Sequence, residues 1–499
     1  MNLYLPLTIL CCALGLFQLG FSNSSLNVPY KNVEQFLKES FKDRYDIDLT
    51  ISTVTILFSV AVSIFWVGAL VGGLCVGSIA ERFGRNGGLL YPQLISILAS
   101  ILMGCCKLAS SYEMLLLGRF LIGISGGIFS GVAALYNEEI APIHIRGTLL
   151  LCNSLGVGIG ILTAYVLGLP SLLGGEDTWP ILQAFNVAPS FLQCIILPFM
   201  PESPRYLIFS KDQNEEAEKA LKKFRNESNV NEELEKIRVE EQNNDSKTIY
   251  SIWQLVTSNK LRLSLLVVIV LFLSDVMSGY AALEFYSTSF FESAGMDESN
   301  SQYVTIGLGA MRVIMTIVAM FLMDRLGRRT LELMGLAGII ICSVMITIAL
   351  TYSTSEAAGV LLSILTITFV GFFSIGVYVV PYIVMAESFT HGPRGAAVSI
   401  CGFVYTLGNI LVALIFPQLQ LLLLDYSFLP FLVIETIIFI FLFFYFPETK
   451  NRASCEISLL FQVPNAWRAA IGLKKTIIEE EPLKSKNYPR YGSETSSLY

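Results

Sequence analysis

The chain has 499 residues, of which 54% are hydrophobic and only 15% charged, and its mean hydropathy is +0.62. That composition excludes a soluble globular domain and points to a membrane protein. The net charge of −7 says nothing about partners until the charges are placed on the two sides of a bilayer.

Runs of about 20 apolar residues, enough to cross roughly 30 Å of hydrocarbon, recur from the first residues to about Phe446. Twelve spans are predicted, over 3–21, 54–79, 88–108, 114–136, 147–168, 179–200, 262–288, 302–323, 331–352, 359–385, 395–416 and 428–446. Met1 to Phe21 is as short and apolar as a secretory signal. It lacks a basic leading segment and its removal would leave an odd number of spans, so a retained first helix is expected. With both ends in the cytosol, 26 of the 33 Lys and Arg fall on inner segments and five on outer loops, while Arg119 and Arg312 lie inside predicted spans. Basic residues favour the inner side, so both termini are expected in the cytosol. Nine of the ten cysteines fall in predicted spans, which argues against a disulfide framework.

Three pairs of motifs repeat along the chain at nearly one offset. "GSIAERFGRNG" (77–87) follows the second span and "MDRLGRRT" (323–330) the eighth, with Arg82 and Arg325 separated by 243 residues. "NEEIAPIHIRG" (137–147) follows the fourth span and "AESFTHGPRG" (386–395) the tenth, with Glu139 and Glu387, and Arg146 and Arg394, separated by 248. "PESPR" (201–205) follows the sixth and "PETKNR" (447–452) the twelfth. The expected fold is therefore an all-α membrane protein of twelve transmembrane helices in two pseudo-symmetric six-helix bundles. The bundles should span 1–200 and 262–446, with a cytosolic linker carrying short helices at 201–261 and a cytosolic tail at 447–499. Parallel halves of this kind enclose a site at their interface and expose it to one side at a time. Within the linker, Glu215–Lys219, Glu218–Lys222 and Glu232–Lys236 are spaced as helical ion pairs, and Leu221, Phe224, Leu234 and Ile237 supply short apolar faces.

These motifs, with "FQLGFSNSSLNVP" (17–29), "EMLLLGRFLIG" (113–123) and "GRRTLELMGLAG" (327–338), resemble the major facilitator superfamily. Within it they resemble the sugar porter family, which contains the facilitative glucose transporters. The resemblance implies that Glu139, Arg146, Glu387 and Arg394 join Arg85, Arg119, Asp324 and Arg328 in breakable salt bridges that gate the inner face. One departure is Asn86, which stands where the first half of the family usually has a second Arg; a weaker latch is expected there.

In sugar porters a neutral hexose is held by amides, which donate and accept at once. By resemblance the substrate positions here are Gln18, Ser154, Asp275, Arg312, Tyr382 and Asn409. Ser154 and Asp275 each replace a Gln, Val276 follows Asp275 where a second Gln is usual, Ala281 and Arg312 each replace an Asn, and Tyr382 replaces a Trp. Each charge at a helix centre costs roughly 2.5–3.5 kcal/mol on insertion scales, so Asp275 and Arg312 are expected to face a wet cavity or each other. Three roles are open for that pair: a bridge between the seventh and eighth helices, a clamp on a charged substrate, or proton coupling through Asp275. Glu284 lies nine residues beyond Asp275, half a turn away on an ideal helix, and with Gly279 placed to break the helix it is assigned no role. Tyr280, Tyr286, Tyr378, Tyr382 and Tyr405 can stack on a ring or anchor helices.

The expected function is alternating-access transport of a small polar solute, with a hexose or related monosaccharide as the family's default. The first span carries no carboxylate, which favours a uniporter. The alternatives are a carrier of an organic anion or cation, a proton-coupled symporter through Asp275 and Arg312, and a non-transporting membrane sensor. No nucleophile–base constellation or metal cluster is written in the sequence, and His144 and His391 sit in matching inner loops. Neither an enzyme nor a cofactor is expected; the partners are the solute and the lipid bilayer of the plasma membrane, not nucleic acid.

Overall fold

The computed structural model describes residues 4–141, 146–211, 213–227, 229–242, 252–259, 261–351, 356–389, 391–450 and 457. Among them every regular element is helical. In a bilayer the backbone must satisfy its own N–H and C=O groups, and helices do so within each span.

The first half comprises α1 (Tyr4–Ser24), α2 (Tyr30–Tyr45), α3 (Ile51–Cys105), α4 (Tyr112–Ile140), α5 (Arg146–Leu167), α6 (Trp179–Ala184) and α7 (Val187–Ile196). Four short helices follow: α8 (Pro204–Phe209), α9 (Asn214–Arg225), α10 (Asn231–Gln242) and α11 (Ile252–Thr257). The second half comprises α12 (Arg262–Met277), α13 (Tyr280–Ser293), α14 (Glu298–Leu326), α15 (Arg328–Thr351), α16 (Glu356–Ile375), α17 (Val380–Ser388), α18 (His391–Leu423) and α19 (Leu429–Tyr445). Nine helical stretches among the described residues are long and apolar enough to cross a membrane. One of them, α3, carries the second and third predicted spans, bent at Gly84. Cys152–Leu167 and Leu429–Tyr445 are shorter apolar helices at the fifth and twelfth predicted spans, a set consistent with the expected twelve.

Glycine sets how closely the first-half helices approach. A Cβ on Gly123 of α4 would sit 2.0 Å from the Phe65 carbonyl oxygen of α3, and one on Gly160 of α5 would sit 2.1 Å from that of Phe17 on α1. With no hydrophobic effect between helices in lipid, such close backbone packing supplies the association energy. Between the halves, α18 packs on α3 and α14 on α5.

The two ends of the molecule differ. At one end α8–α10 bury Leu207, Ala220, Leu221, Leu234 and Ile237 in a small core of their own. Arg225 fastens that unit to α4 by donating to the Ile140 carbonyl at 2.9 Å while pairing with Glu233. Glu218 and Lys222 form the expected helical pair at 2.7 Å. At the other end α2 covers the mouth between the halves, burying Val33, Phe36 and Leu37.

The repeated motifs have repeated geometry. Gly84 (φ 76°, ψ −174°) and Gly327 (φ 90°, ψ 162°) occupy a region of backbone space that is essentially glycine-only. Each turns the chain so that the next two N–H groups point at one carboxylate. Arg85 and Asn86 donate to Glu202 at 2.9 and 3.1 Å, and Arg328 and Arg329 to Glu448 at 2.9 and 3.2 Å. A Cβ on Gly327 would lie 2.5 Å from a Glu448 oxygen. Gly327→Ala is therefore expected to destabilise the protein by roughly 1–3 kcal/mol, read as a lower thermal midpoint of the purified protein. A midpoint equal to that of the parent would show that the turn is not strained.

Candidate functional site

At the linker end each half carries an internal ion pair. Arg85 grips Glu139 with two nitrogens, at 2.9 and 2.6 Å, and Arg328 meets Glu387 at 3.2 and 2.9 Å. The pair that crosses between halves is a different one: Arg394 of α18 donates to Glu138 of α4 at 2.6 Å while also holding the Ala386 and Phe389 carbonyls of its own half. Both side chains are partly exposed.

The α2 end is closed by amides. Asn23 of α1 donates to Glu284 of α13 at 2.7 Å, and Ser24 to the same oxygen at 3.3 Å. Asn27 donates to the Glu284 carbonyl at 2.8 Å and to Ser287 at 2.9 Å, and its own oxygen takes the Thr288 N–H at 3.1 Å. The Tyr165 hydroxyl of α5 adds a bond to the Glu284 carbonyl at 2.9 Å. Outside this layer Tyr30 and Lys31 hold Glu292, at 2.6 and 2.8 Å. Beside them opens a cavity of about 340 Å³ lined by Glu34, Phe58, Tyr286 and Ser289, within the size range of ligand clefts. Burial, aided by the neighbouring Glu292 charge, raises the Glu34 carboxyl to about 7.

The centre lies between these two closures. Arg312, 3% exposed, sits 4.2 Å from the ring centre of Tyr378 and 4.5 Å from that of Tyr280, and its Nη1 lies 3.5 Å from the second oxygen of Glu284. Tyr280 stacks on Phe373 at 4.1 Å. The aromatic lining continues through Tyr382 and Tyr405, and Trp66 of the first half meets Tyr405 at 5.7 Å. Ser154 of α5 faces the Tyr378 hydroxyl. Asp275, 5% exposed, carries an oxygen with no hydrogen-bond partner. Gln18 is engaged within its own half, with Gln193 and Ser190 at 2.6 Å each and Ser96 at 3.3 Å, and Asn409 donates to the Tyr405 carbonyl of its own helix at 2.9 Å.

The family description "Sugar (and other) transporter" matches residues 7–461. The chain belongs to this family. Among its relatives is facilitated glucose transporter member 1 of Gallus gallus, 38% identical over 463 residues, which are 93% of this chain and 94% of that one. Facilitated glucose transporter member 5 of Mus musculus is 38% identical over 467 residues, covering 93% of each chain. Among solved structures, the proton:xylose symporter XylE bound to 6-bromo-6-deoxy-D-glucose matches with a TM-score of 0.75 at 21% identity, over 92% of this chain and all of the other. The inward-open xylose transporter XylE from E. coli matches with a TM-score of 0.73 at 21% identity and the same coverage. The fold is thus the two-bundle major facilitator fold, and the protein is a multi-pass membrane transporter rather than an enzyme.

Against this family background four sequence expectations change. Asp275 and Arg312 form no ion pair; the carboxylate at Arg312 is Glu284, which had been given no role. Gly279 adopts a left-handed conformation (φ 89°) between α12 and α13, so the spacing rule for an unbroken helix does not apply across it. Arg119 does not join the inner network. It is fully buried, donates to the Ser22 and Ala61 carbonyls and lies over Phe65 at 5.1 Å. It stands 20 residues before Glu139 on one helix, about 30 Å away at 1.5 Å per residue. The crossing partner of Arg394 is Glu138 rather than a residue of the expected set. Asn86, expected to weaken the first latch, donates to the Met200 carbonyl at 2.6 Å as Arg329 does to that of Phe443 at 2.7 Å. The side chains of Arg146, Asp324 and His391, the loop at His144, the Glu232–Lys236 pair and the tail beyond Lys450 lie outside the described residues, Ile457 apart.

Removing one partner of a buried ion pair leaves the other charge stranded, at about 3–5 kcal/mol. Glu284→Ala and Arg312→Ala are each expected to destabilise the purified carrier by about that amount, and the double variant by less than the sum. Additive losses in denaturation experiments would show that the two groups are not coupled. Glu34 gives a pH dependence. Its folded value lies above the usual carboxylate range, so its contribution to seating α2 is full at low pH and is lost as pH rises through about 7. Label-to-label distances between α2 and α13 should lengthen across that window, and Glu34→Gln should abolish the change.

Proposed function

We propose that the chain is a facilitative carrier of a neutral monosaccharide, working by alternating access between the two halves. The observation that carries the substrate class is the state of Arg312. Its charge is met by Glu284 and its faces are covered by Tyr280 and Tyr378, so it does not stand free to clamp an organic anion. Family membership supports a sugar, since the relatives are named as facilitated glucose transporters. The solute pocket lies among Ser154, Tyr378, Tyr382 and Tyr405, with Arg312 and Asp275 in its wall and Gln18 and Asn409 stiffening the helices around it. Tyrosine faces suit the apolar side of a pyranose ring, and hydroxyls suit its edge.

The halves 1–200 and 262–446 are the moving bodies and 201–261 is the tie between them. Arg394–Glu138 is the crossing gate at the linker end, backed by Arg85–Glu139 and Arg328–Glu387, with Arg146 and Asp324 in the same motifs. Both termini in the cytosol fit the distribution of Lys and Arg, and the plasma membrane is the resident bilayer proposed. A non-transporting sensor would have no need of gates at both ends.

Labelled hexose exchange by the full chain in proteoliposomes tests the reading. Saturable exchange competed by unlabelled hexose and not by organic anions is expected; saturable anion flux without hexose flux would replace the substrate. A partly exposed ion pair contributes about 1 kcal/mol or less. Arg394→Ala should therefore bias the carrier open at the linker end by up to about fivefold, seen as faster thiol labelling of cysteines placed in the cavity from that side.

A further inference from the structure

The second half holds three carboxylates that neither the pocket nor the gates explain: Asp275 on α12, Glu332 on α15 and Glu435 on α19. α19 packs on both α12 and α15. Glu332 is fully buried and Glu435 is 1% exposed, so both face protein rather than lipid. Both oxygens of Glu435, one of Glu332 and one of Asp275 have no hydrogen-bond partner, and Glu435 lies within electrostatic reach of the other two. Among the described residues no ion pair reaches any of the three. The cation nearest Asp275, Arg312, is already held by Glu284. Around Asp275 the other facing groups are the neutral hydroxyls of Tyr378, Tyr382 and Tyr405.

An unpaired carboxylate in such a place costs several kcal/mol, and three together repel one another besides. A proton on each removes the cost. Ser274 offers Glu332 little: its one hydroxyl hydrogen is shared between the Leu271 carbonyl at 2.7 Å and Glu332 Oε1 at 3.0 Å, and the second Glu332 oxygen has no donor.

We propose that Asp275, Glu332 and Glu435 form a proton-binding site of the carrier, loaded from the central cavity through Asp275, and that its occupancy controls flux. Each carboxylate takes one proton from hydronium in the open cavity, forming an O–H bond and leaving water. When the cavity faces a basic compartment Asp275 gives its proton back to water. Its charge then competes with Glu284 for Arg312 and loosens the hold of Glu284 on Asn23 and Ser24. The occluded state buries the whole cluster, so ionisation disfavours it and slows exchange.

The site itself does not depend on which solute is carried; only the control of flux rests on the transport reading. Infrared difference spectra of the full chain in lipid, without sugar, decide the site. The parent should show the C=O band of neutral carboxyls at neutral pH, and Glu332→Gln with Glu435→Gln, isosteric with the protonated acids, should remove part of it. No loss of that band in the double variant overturns the site. Hexose exchange, measured in a Glu34→Gln background to silence the outer carboxyl, decides the control. The background protein should slow several-fold between about pH 6 and about pH 8, and adding Asp275→Asn, which removes the group that ionises, should flatten that profile whatever the absolute rate. Identical pH profiles overturn the control of flux. A protein that shows the band but moves no sugar counts against the transport reading and leaves the site standing.

Discussion

A guanidinium buried between two bundles constrains everything around it. Arg312 cannot lose its proton at any ordinary pH, so the protein must supply a counter-charge and cover its faces. Glu284 gives the charge, and Tyr280 and Tyr378 give the ring faces, each contact of this kind contributing about 0.5–2 kcal/mol. Glu284 has two oxygens; one faces Arg312 and the other is taken by Asn23 and Ser24 of the other half. The group that neutralises the centre is thus the same one that ties the α2 end shut. Electrostatics of the pocket and mechanics of the gate form one network, and a change at either is felt at the other.

In the proposed reading this arrangement also limits what the pocket recognises. A free Arg312 would make an anion site, whereas a paired and stacked one presents little net charge to a solute. What remains towards the interior is hydroxyl and ring: Ser154, Tyr378, Tyr382 and Tyr405. Replacing amides by phenols exchanges two-way hydrogen bonding for stacking with a single polar tip. A neutral polyol can use both surfaces, while an anion would find Arg312 already facing Glu284.

The twelve spans, the twofold repeat and the inner-face motifs were legible because each is a local pattern: length and apolarity for a span, identical spacing for the repeat. The pairs Arg85–Glu139 and Arg328–Glu387 follow that repeat. What escaped depends on rotation and depth. Glu138 and Glu139 are neighbours in sequence but about 100° apart around a helix, so one serves its own half and the other crosses. Arg119 carries the residue type of a gate but lies at the far end of its helix. Glu284 was hidden by Gly279, whose left-handed backbone resets the direction of α13. Glu332 and Glu435 did leave a sign, since each is a carboxylate inside a predicted span. Only their packed surroundings, with no basic partner among the described residues, give that sign a meaning.

Alternation needs two closures of similar, modest strength, because a carrier locked at one end by several kcal/mol would populate a single state. The two ends reach this by different chemistry. Among the described residues the linker end has one partly exposed crossing ion pair, Arg394–Glu138, weak because water competes for both charges. The α2 end has neutral amides on a carboxylate, stronger per bond because they are buried. Its acceptor, however, is shared with Arg312, and each donor that holds Glu284 reduces the charge left for the other. That sharing lowers the net strength of an otherwise tight closure.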